Sequence, residues 1–128
     1  IDGTPQAFIA WVTDISEGDE ITACFYGYDD TPSSSPSMRV WGNWSDNYDI
    51  SSYAGNAGGN EDYTAGNGWN EVCHTFSTSQ GEWDAGEALV IQARLYSPSS
   101  ASDAVQYFID SVSVETNSNS AIIFFPNW

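Results

Sequence analysis

The chain has 128 residues, with 18 Asp and Glu against two Lys or Arg, and a formal net charge of -16. That balance excludes a nucleic-acid binder, whose phosphates need a basic surface, and a protein that docks on an anionic membrane. Aromatic residues make up 15% of the chain, including six Trp, far too many for a disordered acidic tail.

The length fits one domain, 1–128, able to bury a real core. Nothing reads as a signal peptide, and no run of about 18 apolar residues is present to span a membrane. Beginning at Ile1, the chain reads as a mature fragment or as one module of a longer protein. The acid excess suits a secreted protein whose surface repulsion is screened by salt.

No segment has a helical period. Apolar residues alternate in short runs separated by Gly, Ser, Asn, Asp and Pro, the pattern of strands and turns. In chain order the strands are QAFIAWVTDI (6–15), DEITACFYGYD (19–29), SMRVWGNW (37–44), GWNEVCHTFST (68–78), ALVIQARLYS (88–97), AVQYFIDSVSVE (104–115) and SAIIFFPNW (120–128). SEGDE (16–20) reads as a turn and DDTPSSSPS (29–37) as a loop. The stretch from Asp46 to Trp69 has no strand pattern. It is long enough to be functional or anchored. Seven short strands with polar turns predict an all-β fold, a two-sheet antiparallel β-sandwich of jelly-roll or immunoglobulin-like type.

Alternation sorts each strand into two faces. In 88–97, Leu89, Ile91, Ala93 and Leu95 form the core side, so Gln92, Arg94 and Tyr96 point outward with Val90. In 37–44, Met38 and Val40 are core, and Arg39, Trp41 and Asn43 point outward. In 19–29, Ile21, Ala23 and Phe25 are core, and Thr22, Cys24, Tyr26 and Tyr28 point outward. In 68–78, Val72, His74 and Phe76 are core, and Glu71, Cys73 and Thr75 point outward. Both arginines therefore fall on outward faces, and are expected beside Trp41, Tyr26, Tyr28 and Tyr96. In 104–115, Ile109 is out of step with Val112 and Val114, which predicts a β-bulge near Asp110 and Ser111.

The two cysteines, Cys24 and Cys73, make no CxxC, and one His cannot complete a zinc set. They are either two thiols or a disulfide. Both lie on outward faces, so a cross-strand disulfide has the correct parity. It would close a loop of about 50 residues and contribute about 4 kcal/mol on the chain-entropy model. NWS (43–45) is a glycosylation sequon.

Three stretches in order, WVTDISEGDEITACFYGYDD, GWNEVCHTFS and VQYFIDSVSVE, resemble the recurring strands of β-sandwich carbohydrate-binding modules, most nearly those of families four, sixteen and twenty-two. The resemblance covers roughly residues 8 to 115. It lacks the usual opening strand, and SAIIFFPNW continues beyond the closing one. It implies a jelly roll with a concave sheet that grips a polysaccharide through aromatic, Gln, Asn and Arg side chains. The positions that match are 39–43 and 92–96. It also implies a structural Ca²⁺ held by Asp110 with backbone oxygens from the start of the chain. Asp2, Asp29 and Asp30 are weaker candidates than Asp110. Carboxylates are the hard ligands Ca²⁺ prefers, but no DxDxDG-type loop is present.

The expected function is non-catalytic polysaccharide binding. Trp41 and Tyr96 would stack on the apolar face of sugar rings, with Tyr26 and Tyr28 nearby. Arg39, Asn43, Gln92 and Arg94 would hydrogen-bond the hydroxyl rim. The alternative use of the same residues is internal: Trp41 and Tyr96 pack under the 46–69 loop and the arginines bind carboxylates. His74, between Val72 and Phe76, reads as a core histidine. Glu71 has no partner carboxylate on its face by this sorting, which argues against a glycosidase. The module is expected to be monomeric, secreted and appended to a polysaccharide-degrading enzyme. The other reading is a cell-surface adhesion or structural sandwich that binds a protein.

Overall fold

The computed structural model describes residues 6–29, 37–59, 64–65, 68–96 and 107–126. Nine strands run in order: β1 (Gln6–Thr13), β2 (Glu20–Asp29), β3 (Ser37–Asp46), β4 (Gly55–Gly59), β5 (Thr64–Ala65), β6 (Gly68–Ser77), β7 (Glu87–Tyr96), β8 (Tyr107–Thr116) and β9 (Ile122–Phe124). The six-stranded sheet has the order β4-β3-β7-β1-β9, with β5 also pairing β3. The three-stranded sheet has the order β6-β2-β8. All these pairings are antiparallel.

The long strands alternate between sheets along the chain. β1, β3, β7 and β9 belong to the larger sheet, and β2, β6 and β8 to the smaller. Each strand therefore buries one face against the other sheet, which is why each reads with a period of two. The larger sheet contributes Ile9, Val12, Met38, Val40, Trp44, Leu89 and Ile91 to the core. The smaller contributes Ile21, Phe25, Val72 and Phe76. Gly27 and Gly42 let the sheets close: a Cβ on Gly27 would run into the Met38 thioether, and one on Gly42 into the Phe76 ring. The expected sandwich and the core side of each sorted strand are as observed, except at Leu95, whose side chain lies outside the described residues. On β8, a register break opposite Cys24–Tyr26 and a positive φ at Ser111 form the expected bulge.

Two features differ from the expectation. Residues 46–69 are not strandless: β4 and β5 return to pair with β3. GNAGG carries almost no side chain to alternate, so its pairing leaves no hydropathy signature. Backbone and side-chain hydrogen bonds anchor the turn before it. Ala54 N donates to Trp44 O at 2.8 Å, Asp46 N to Ser52 Oγ at 2.7 Å, and Asn56 N to the Glu82 carboxylate at 3.0 Å. The second difference is a bulge in β1 between Phe8 and Ala10, which buries both Ile9 and Ala10.

Among the described residues, no helix is long and apolar enough to cross a membrane.

Candidate functional site

The strand registers carry the outward residues into rows that cross each sheet, about 4.8 Å per strand. On the larger sheet one row is Arg39–Arg94–Gln6. The next is Trp41–Gln92–Phe8, and the third is Asn43–Val90–Trp11–Phe124. The sequence-predicted Arg39, Trp41, Asn43, Gln92 and Arg94 are thus brought together. Tyr96 continues β7 beside them, but its side chain lies outside the described residues, as does Asp2.

Both guanidinium groups lie over the Trp41 ring, Arg39 at 4.6 Å and Arg94 at 4.4 Å from its centroid. The ring quadrupole attracts cations, and the ring in turn spreads two like charges that register places directly opposite one another. Trp41 Nε1 donates to Asn43 Oδ1 at 3.1 Å. Trp11 reaches over β7 and donates from Nε1 to Ser45 Oγ at 3.3 Å, with Phe124 against its ring at 5.7 Å.

These large side chains explain a departure from the sequence reading. Val90 and Gln92 have outward parity, yet they are only 3% and 6% exposed. β7 is the central strand, and Trp41 with Phe8, and Asn43 with Trp11, flank them on both sides. Gln92 Oε1 and Arg94 Nε are buried and make no hydrogen bond.

Sequence sorting left β1 and β9 without faces, and so missed Phe8, Trp11, Phe124 and Phe125. Phe8, Phe124 and Phe125 are each about half exposed. With Trp11 and Ile50 they line an apolar groove of about 170 Å³. Neither segment signals this in its sequence: IIFF is apolar at every position, and Phe8 and Trp11 have opposite parity and reach one face only through the β1 bulge.

Tyr26 and Tyr28 do not join the arginines. They lie on β2, so they face outward from the smaller sheet, on the opposite side of the sandwich. There the rows are Trp69–Tyr28–Phe108, Glu71–Tyr26–Asp110, Cys73–Cys24–Ser113 and Thr75–Thr22–Glu115. The Tyr28 ring lies 5.3 Å from Trp69 and 5.9 Å from Phe108, centroid to centroid. Glu71, expected to be alone, shares its row with Asp110, with Tyr26 between them. Tyr26 hydrogen-bonds Glu71, whose negative charge raises the phenol pKa above its ordinary value and keeps it a donor.

Cys24 and Cys73 are directly opposite, Cα to Cα 4.1 Å, and form a disulfide. The close Cα approach is that of a non-hydrogen-bonded antiparallel pair. Thr22 and Thr75 hydrogen-bond in the next row at 2.8 Å. His74 lies on the core face, half-buried, with its ring edge-on to Phe76 at 4.6 Å. Burial, and then the charge of Arg39, lower its pKa.

Asp110 is exposed and accepts a hydrogen bond from Ser111 N at 2.8 Å. A cavity of about 430 Å³ opens beside it between β8 and the larger sheet, lined also by Ala7, Ile109, Val112 and Phe125. Among the described residues the one group of three close metal-ligand types is Cys24, Glu71 and Cys73, whose sulfurs are bonded to each other. The described residues by themselves do not gather the oxygen cage that Ca²⁺ needs around Asp110.

Comparison of the chain with protein-family models, curated proteins and solved structures returned no match. The functional reading therefore rests on the residues and their geometry.

Proposed function

We propose that the chain is a non-catalytic polysaccharide-binding module of an exported protein, and that a glycan lies across the outer face of the six-stranded sheet. The observation that carries this reading is the set of rows joining Trp41, Gln92 and Phe8, and Asn43, Trp11 and Phe124, with both arginines of the chain at one end. Phe8, Trp11 and Phe124 offer ring surface to the C–H faces of sugars. Arg94 Nε lacks an acceptor and Gln92 Oε1 lacks a donor. A sugar hydroxyl is both, so one admitted by a shift of the flanking Phe8 or Trp41 side chain would satisfy each. A buried polar atom left unpaired costs about 1–3 kcal/mol, which a ligand of this kind recovers.

Trp41 has a different role from the one its parity suggests. Its ring already carries two guanidiniums, so it positions the arginines more than it stacks on sugar. With only two cations in the chain, a neutral or sparsely charged polymer fits better than a dense polyanion, which a net charge of -16 repels. The disulfide supports an oxidising compartment, and with it export. Attachment to a polysaccharide-degrading enzyme belongs to the same proposal and rests on the motif resemblance.

The test is affinity electrophoresis through gels containing individual neutral polysaccharides. Phe8→Ala and Gln92→Ala should each weaken retention by about 1–3 kcal/mol on the polymer that binds. Retention unchanged in both variants would remove this face from the account.

A further inference from the structure

The smaller sheet carries a second outward face that the proposal above does not use. Trp69 and Phe108 are 52% and 51% exposed, and Tyr26 is 42% exposed, on neighbouring strands of one sheet. Register sets three rings in one row, Trp69–Tyr28–Phe108, and three acceptors and donors in the next, Glu71–Tyr26–Asp110. Glu115 lies further along the same face. Rings exposed side by side in one row, rather than singly, are the kind of surface that serves contact with a ligand.

The charge of this face is one-sided. The chain has two cationic Lys or Arg side chains in all, and both stack on Trp41 on the other side of the sandwich. Neither neutralises Glu71 or Asp110. Tyr26 donates to Glu71 and so occupies one of its lone pairs, leaving the others as acceptors. The face is also held in shape before any ligand arrives. The Cys24–Cys73 disulfide and the Thr22–Thr75 hydrogen bond tie β2 to β6 two and three rows away from the rings. Preorganisation of this kind lowers the cost of binding.

We propose that this face binds an amine-bearing glycan, a polymer of protonated amino sugar. Ring faces accept both the C–H face of a sugar and a cation above the π system. Carboxylates one strand-row away accept charge-assisted hydrogen bonds from ammonium groups. The two rows run side by side, so a chain of rings lying along the aromatic row presents its amines to Glu71 and Asp110. The site differs from the one proposed above in its sheet, its residues and its charge, and neither depends on the other.

The probes are glucosamine oligomers, fully N-acetylated glucosamine oligomers of equal length, and oligolysine of equal charge. Binding is measured by calorimetry at mildly acidic pH and at two salt concentrations. The free-amine oligomer should bind, and the N-acetylated one at least about tenfold more weakly. Trp69→Ala and Glu71→Gln should each lose about tenfold for the free-amine oligomer. Phe108→Ala serves as a second aromatic variant, and near-UV circular dichroism confirms folding. Glu17→Gln removes an exposed charge from the β1–β2 turn and should bind as the parent does. The proposal fails if Glu17→Gln is as damaging as Glu71→Gln, since the net charge alone would then explain binding. It fails equally if the N-acetylated oligomer binds as well as the free amine and loses that binding in Trp69→Ala. If oligolysine binds as tightly, with the same sensitivity to Trp69→Ala, the ligand is a cationic peptide and the glycan assignment is overturned.

Discussion

On the outer face of the six-stranded sheet the tryptophans are tied down by their own chain, whereas on the three-stranded sheet Trp69 stands clear. Trp41 holds two guanidiniums and donates to Asn43, and Trp11 donates across β7 to Ser45. Trp69 and Phe108 touch Tyr28 ring to ring, and half of each remains in water. The first face has the chain's two cations, and the second has acids. The difference teaches that outward parity alone does not define a binding surface. An outward side chain on a central strand becomes part of a second packed layer, as Gln92 does, while outward rings on strands at or near a sheet edge, Trp69 and Phe108 on one sheet and Phe124 on the other, stay exposed.

Stability measurements sharpen this contrast. The largest effect is expected from the disulfide, which staples the smaller sheet. Replacing Cys24 and Cys73 by Ser should cost about 4 kcal/mol in urea unfolding, from the loop it closes. A stability equal to the parent's would mean that the smaller sheet is held without its staple. Next comes the difference between the two tryptophans. Trp41→Ala should cost about 1–2 kcal/mol, because two cation–π contacts are lost and two arginines are left directly opposed. Trp69→Ala should cost less, about 0.5 kcal/mol, since it loses one exposed ring contact with Tyr28. Equal costs at the two positions would erase the distinction between a packed and a free face.

A smaller effect concerns His74, near the edge of the core. Its folded pKa is depressed by burial and by Arg39. The unfolded chain then takes up a proton more readily, so this residue's contribution to stability is present above pH 6.5 and declines as pH falls below it. Protonation of the many carboxylates acts in the opposite sense by reducing net charge. The two are separated by comparing melting curves of the parent and His74→Gln across that range. The parent should lose more on acidification, and parallel curves would assign the whole acid response to carboxylates. Smallest of all is the expected signal for hydrolysis. Glu71 and Asp110 flank Tyr26 on an exposed face, and incubation with polysaccharides should release no new reducing ends. Release that disappears in Glu71→Gln would make the face an active site.

The six long strands were legible because each has one side in the core, and so each alternates. The bulge at Ser111 was legible because Ile109 falls out of phase with Val112. Cys24 and Cys73 could be paired in prospect because both have outward parity. Which sheet a strand joins left no trace in its own residues. Parity therefore placed Tyr26 and Tyr28 with Arg39 and Arg94, and only the topology separates them. β4 was hidden because GNAGG has too few side chains to show a period. Phe8 and Trp11 were hidden because the β1 bulge puts two consecutive residues, Ile9 and Ala10, in the core.

Retention on a neutral polysaccharide, measured side by side for the parent, Phe8→Ala and Trp69→Ala, tests the central claim most directly. The account predicts that some neutral polymer retards the parent, that Phe8→Ala loses most of that retardation, and that Trp69→Ala keeps it. Retardation that survives Phe8→Ala and vanishes in Trp69→Ala would place neutral glycan on the wrong sheet and contradict the account.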